Sequence, residues 1–133
     1  PMHHLGHFSR SVLEGVLLNM REILEVCREA GLECDRVVAS GGATSETLWL
    51  QLLADVLGRE TVTVTGAAEG GAYGAALATG VGVGYWDSLD EAVSGVSVER
   101  TFTPDSDSTR VYDTVFARHR ALYEGLRPLY AGA

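Results

Sequence analysis

Apolar residues recur at helical spacing from Phe8 to Ala30. Val12, Val16, Leu17, Met20, Ile23, Leu24 and Cys27 form one stripe, while Glu14, Arg21, Glu22, Glu25, Arg28 and Glu29 fill the other face. The pattern predicts a long amphipathic helix with Ser9 capping its start and Gly31 in the C-cap glycine position. Gly15 costs such a helix about 1 kcal/mol against Ala, which suits a close packing contact at that point. From Arg36 the period changes. Val37 to Ala39 is a short apolar run, Gly41-Gly42 breaks it, and Ser45 is a suitable N-cap. Beyond Thr47, Leu48, Leu52, Leu53, Val56 and Leu57 again fall at helical spacing. Strand, glycine turn and helix follow in order. Thr61 to Thr65 (TVTVT) alternates β-branched residues as a second strand does.

The segment Gly66 to Trp86 is rich in small residues. Glu69 suits a first helical turn, and Ala72 to Thr79 is predicted helical with a surface that lets a strand or ligand come close. Asp87-Ser88 opens a short helix through Val93, and Val98 to Ser108, with Pro104 among Asp and Ser, reads as a loop. Thr109 to Tyr130 closes the chain as a helix carrying Val111, Val115, Leu122 and Leu126, with Tyr112, Phe116, Tyr123 and Tyr130 beside them as packing aromatics. The order is helix, strand, helix, strand, helix, then C-terminal helices. This is an α/β arrangement with parallel pairing, because strand–helix–strand crossovers run parallel and right-handed. Two short strands make too small a sheet for these helices. The expectation is therefore a fragment, or a chain that completes its sheet with another.

Composition narrows the functions available. The 133 residues carry a net charge of −8, with 46% hydrophobic residues and a mean hydropathy of +0.08, enough for the core of one domain. All ten basic residues are Arg. An acidic chain without a basic cluster is a poor nucleic-acid binder, and the missing Lys excludes a P-loop. No apolar run approaches the roughly 20 residues that span a bilayer. Cys27 and Cys34 have no CxxC spacing and read as reduced thiols of a cytoplasmic protein. His3, His4 and His7 lack Cys or carboxylate partners and read as solvated side chains near the terminus, so no metal site is assigned. Asp35 reads as part of a helix-to-strand turn and Asp55 as part of an exposed helix face. Gly41-Gly42 admits two readings. Bare backbone beside a helix N-terminus can receive a flat or anionic ligand, or the glycines can simply make a tight turn.

Three stretches carry a family resemblance. HFSRSVLE at His7 to Glu14 resembles the second half of the signature of the FGGY carbohydrate kinases. SGGATSETLWLQLLADVLG at Ser40 to Gly58 is similar to that family's adenosine motif and following helix, and EGGAYGAALATGVGVGYW at Glu69 to Trp86 to the next segment. The wording is nearest the family's xylulose-phosphorylating branch. The resemblance implies residues 1–133 as one incomplete C-terminal ATP-binding lobe of the ribonuclease-H-like type shared with actin, hexokinase and Hsp70. Late parallel strands would be present and the antiparallel strands that open the sheet absent. It further implies an ATP-dependent enzyme that makes D-xylulose 5-phosphate from D-xylulose when joined to its N-terminal lobe. Gly41, Gly42 and Ala43 would line the adenine and ribose side of the pocket through backbone, with Glu46 where some relatives place an adenine-contacting Asn. Trp49 and Gln51 would be structural, and Gly70, Gly71 and Gly74 would back the pocket by packing. The general base, the Mg²⁺ ligands and most of the sugar site would lie outside this chain, which alone would be inactive and hold no catalytic residue. A second expectation, of another class, is a stand-alone nucleotide-binding or dimerisation module pairing through its open sheet edge, so a homodimer is one partner state and the N-terminal lobe the other.

Overall fold

The computed structural model describes residues 2–130. In chain order it has α1 (Leu5–Glu29), β1 (Arg36–Val38), a 3-10 turn (Gly42–Ser45), α2 (Thr47–Leu57), β2 (Glu60–Val64), α3 (Gly71–Gly82), α4 (Leu89–Val93), β3 (Val98–Phe102) and α5 (Ser106–Tyr130). The sheet runs β1-β2-β3. β1 lies parallel to β2 with Val37 opposite Thr61, and β3 lies antiparallel with Phe102 opposite Thr61. The expected parallel pair is present, with a third strand beside it.

α2 is apolar nearly all round and forms the centre of the core. Leu50, Leu52, Leu53, Ala54, Val56 and Leu57 are all buried, and each fully buried leucine contributes roughly 1.5–3 kcal/mol. α1 brings Leu17 and Leu18 to it, α5 brings Tyr112 and Phe116, and the sheet brings Ala39 and Phe102. Gly58, at φ +61, ends α2 in the left-handed conformation. Across the α1–α5 contact, the Arg10 guanidinium donates to Glu14 at 2.7 Å and to the Tyr112 hydroxyl at 2.9 Å, and Tyr112 in turn donates to Glu14 at 2.8 Å.

Several local expectations change. α1 begins before Ser9: the His4 imidazole accepts from the Gly6 amide at 3.1 Å, and the His7 imidazole accepts from the His4 amide at 3.2 Å. Two of the three N-terminal histidines thus cap a helix. The α1 stripe also divides. Leu13, Leu17, Leu18 and Leu24 face the core, while Val12, Val16, Met20 and Ile23 are exposed, so the helix is apolar on two sides. A Cβ on Gly15 would meet nothing within 4 Å, so no neighbour comes close there. Val98 to Phe102 is a strand rather than a loop. At a sheet edge one side of a strand can be polar, and Glu99 and Thr101 hide the alternation of Val98, Arg100 and Phe102. The aromatics of α5 separate as well, with Tyr112 and Phe116 in the core and Tyr123 and Tyr130 exposed.

Asp55 is the clearest correction. It is 7% exposed rather than solvated, and its carboxylate accepts from Gln51 Nε2 at 2.8 Å and from the Asp105 amide at 2.9 Å. Gln51 Nε2 also donates to the Thr103 carbonyl at 3.0 Å. Together these bonds latch the segment between β3 and α5 onto α2. Bonds to a charged acceptor are worth about 1.5–3 kcal/mol when buried, and these part-buried ones fall at about 1–2 kcal/mol. Asp55→Ala is accordingly expected to lower the unfolding free energy by that amount in urea titration, and an unchanged midpoint would refute the latch.

Candidate functional site

In open α/β sheets a ligand crevice forms beyond the carboxyl ends of parallel strands, where loops and helix N-termini converge. The carboxyl ends of β1 and β2 lie side by side here, and each runs into a glycine turn. The turns touch: the Gly41 amide donates to the Ala67 carbonyl at 2.6 Å, and a Cβ on Gly70 would stand 3.4 Å from the Gly41 nitrogen. Gly41 has φ +89 and ψ −178, a region essentially confined to glycine. Gly66, at φ +77, lies under the Tyr73 ring, which a Cβ there would penetrate. Glycine is required at both positions, for backbone conformation at one and for the aromatic ring at the other.

A cavity of about 370 Å³ opens beside these turns, within the size range of small-molecule sites. Ser40, Thr65, Gly66, Gly70, Tyr73 and Leu77 are among the residues that line it. α3 starts at its edge with Gly70 as N-cap and no side-chain cap; the Ala72 amide donates to the Glu69 carbonyl at 3.2 Å, and the Gly71 amide beside it precedes the first helical bond. A Cβ on Gly41, Gly42, Gly71 or Gly74 would meet nothing within 4 Å. The surface therefore combines bare backbone at Gly70, Gly71 and Gly74 with the side chains of Tyr73 and Leu77, a mixture suited to a flat ring.

The four residues singled out from the sequence share the first turn. Gly41 heads the 3-10 turn, Gly42 and Ala43 lie exposed within it, and Glu46 is the residue between the turn and α2. They stand next to the cavity wall rather than in it. Glu46 extends towards the Ser45 hydroxyl at 3.5 Å. Ser45, expected as the N-cap, instead donates its hydroxyl to the Gly42 carbonyl at 3.0 Å and braces the turn. Gly70, Gly71 and Gly74, expected only to back the pocket, line the cavity itself. Sequence reasoning missed Ser40, Thr65, Tyr73 and Leu77. Tyr73 and Leu77 left a signal, as the two large apolar residues among small ones in EGGAYGAAL. Trp49 packs partly buried against the core, consistent with a structural role.

No carboxylate among the described residues lines the cavity; Asp35 lies in the bend before β1 and Asp55 is held in its latch. Among the described residues no group of three or more His, Cys, Asp or Glu is placed to hold a metal ion, and no helix is long and apolar enough to cross a membrane. A surface of this kind can bind and orient a ligand.

Residues 1–83 match the family model described as the C-terminal domain of the FGGY family of carbohydrate kinases. Over 128 residues the chain is 30% identical to a xylulose kinase of Bacillus subtilis, covering 96% of this chain and 26% of that protein. It is 32% identical over 121 residues to a glycerol kinase of Saccharolobus islandicus, covering 90% of this chain and 22% of the relative. The crystal structure of a xylulose kinase from Rhodospirillum rubrum superposes with a TM-score of 0.79 at 33% identity, covering 97% of this chain and 26% of that one. The chain thus spans about a quarter of the length of the relatives it matches.

The two glycines at the head of the turn should respond differently. Gly41→Ala forces a side chain into a glycine-only conformation and is expected to cost about 1–3 kcal/mol. Gly42→Ala, with open space and an ordinary φ, should stay within about 0.5 kcal/mol of wild type. Thermal unfolding of the pair measures the contrast, and equal losses would show that Gly41 is not constrained.

Proposed function

The chain belongs to the FGGY family of carbohydrate kinases, and from that premise we propose that residues 1–133 are the C-terminal nucleotide-binding portion of an ATP-dependent sugar kinase. The observation that carries this reading is the pair of abutting glycine turns at the carboxyl ends of β1 and β2, with bare backbone facing a cavity. Gly41, Gly42 and Ala43 would present backbone to the adenine and ribose, with the Glu46 carboxylate at the rim. The open start of α3 would face the more anionic end of the nucleotide.

Phosphoryl transfer depends on positioning and charge neutralisation. In this reading the chain does the positioning. It fixes one end of ATP so that its γ-phosphoryl meets a sugar hydroxyl held by the N-terminal lobe. That lobe would also supply the general base and the Mg²⁺ ligands, so the isolated chain would transfer nothing. The substrate we assign is D-xylulose, converted to D-xylulose 5-phosphate. Similarity to proteins named xylulose kinase at 30% and 33% identity supports this choice. Similarity to a glycerol kinase at 32% makes the choice of sugar the point to test. A cytoplasmic setting suits the two free cysteines and the acidic, Lys-free composition.

The test joins these residues to the N-terminal lobe and follows ADP release with D-xylulose, glycerol and gluconate. D-xylulose-dependent release from the joined protein, and none from the 133-residue chain, is the expected outcome. Preferential turnover of glycerol or gluconate would overturn the sugar assignment. A monodisperse dimer of the chain that binds ATP in calorimetry, while the joined protein turns over no sugar, would favour the stand-alone module instead.

A further inference from the structure

We propose that Arg100, on β3 and outside the residues matched by the family model, is a positioning residue for the nucleotide turn. The inference rests on the reading of the Gly41–Glu46 region as the adenosine side of the site.

The 3-10 turn is held internally by short-range bonds alone, the Ser45 hydroxyl to the Gly42 carbonyl at 3.0 Å among them. Thr44 donates from its amide to the Gly41 carbonyl at 3.0 Å and from its hydroxyl to the same oxygen at 2.8 Å, and the Glu46 amide donates to Ala43 at 3.1 Å. Bonds of this i to i+3 type have poorer geometry than those of an α-helix. The junction with α2 is weaker still, because Glu46 occupies the N-cap position without any side-chain cap. Arg100 spans that junction. Its Nη1 donates to the Thr44 carbonyl at 3.2 Å, inside the turn, and its Nη2 donates to the Thr47 hydroxyl at 2.7 Å, in the first residue of α2. The guanidinium lies 4.9 Å from the centre of the Phe102 ring, which is itself in the core. One planar cation thus refers both sides of the junction to the sheet. Only a forked, planar donor makes both bonds at once, and a lysine ammonium reaches one acceptor from a flexible stem.

A residue that holds a binding turn should affect the ligand bound there more than the other substrate or the chemical step. In the joined kinase, Arg100→Met is expected to raise the KM for ATP about tenfold, the loss typical of a broken charged hydrogen bond. The KM for the sugar and kcat should stay near wild type. Arg100→Lys should fall between, and Thr47→Val should add little once Arg100 is gone, because the two act through one bond. Arg59→Met is the control for general destabilisation. Arg59 makes a similar clasp, with Nε to the Cys34 carbonyl at 2.8 Å and Nη1 to Gly58 at 3.0 Å, away from the turn. Calorimetric ADP affinity and hydrogen exchange of the Gly42–Leu48 amides provide readouts independent of turnover. Faster exchange confined to that stretch, together with weaker ADP binding in Arg100→Met but not Arg59→Met, supports the assignment. A wild-type ATP KM in Arg100→Met, or equal ATP effects in the two variants, overturns it while leaving the kinase reading intact. Absence of nucleotide binding by the wild-type protein overturns both.

Discussion

The burial of α2 is the constraint on which the rest of this structure depends. A helix apolar on nearly every side must be enclosed, and here α1, α5 and the sheet enclose it. That enclosure fixes where α2 begins, and so where the strand before it must end. The distance between those two points is bridged by the glycine turn. The site geometry is thus a by-product of core packing: with β1 and α2 held in place, the chain between them can follow only a path that glycine permits at residue 41.

The outer surface shows a different economy. Val12, Val16, Met20 and Ile23 on α1, Val38 on β1 and the alanines of α3 stand exposed around a small compact interior. α1 alone has apolar side chains on opposite sides, the pattern of a helix lying between two layers. β1 has a partner on one side only, and Val38 is 55% exposed. The chain spans about a quarter of its relatives' length, and exposed apolar surface of this kind is what interaction faces present.

Much of the fold was legible because its strongest signals are periodic. Two long helices, the short helix after Ser88 and both parallel strands follow from spacing of apolar residues, and Gly31 marks a helix end that left-handed backbone confirms. β3 was not legible, because an edge strand is buried on one side only and its outward residues are polar. Asp55 was hidden for a related reason: a carboxylate is buried when an amide from a distant segment meets it, and Asp105 is fifty residues away along the chain. The first glycine turn could be located from the strand–helix transition. Its junction with the second turn at Gly70, and the role of Tyr73 over Gly66, depend on strand pairing that local sequence does not encode.

The sequence separation of the tethers also bears on the order in which the molecule can form. Arg100 reaches back 56 residues to Thr44, and Asp105 reaches back 50 to Asp55. Closing such long loops is entropically costly and comes late relative to local helix formation. The tether from Arg100 to the turn after β1 can therefore form only once β3 lies beside β2. Residues 1–83, the stretch that carries the family pattern, contain the turn but not the strand that sets it. The family model and the tertiary contacts thus draw different boundaries in this chain: the matched residues stop before the strand that tethers the turn, while similarity to the relatives continues over 96% of the chain.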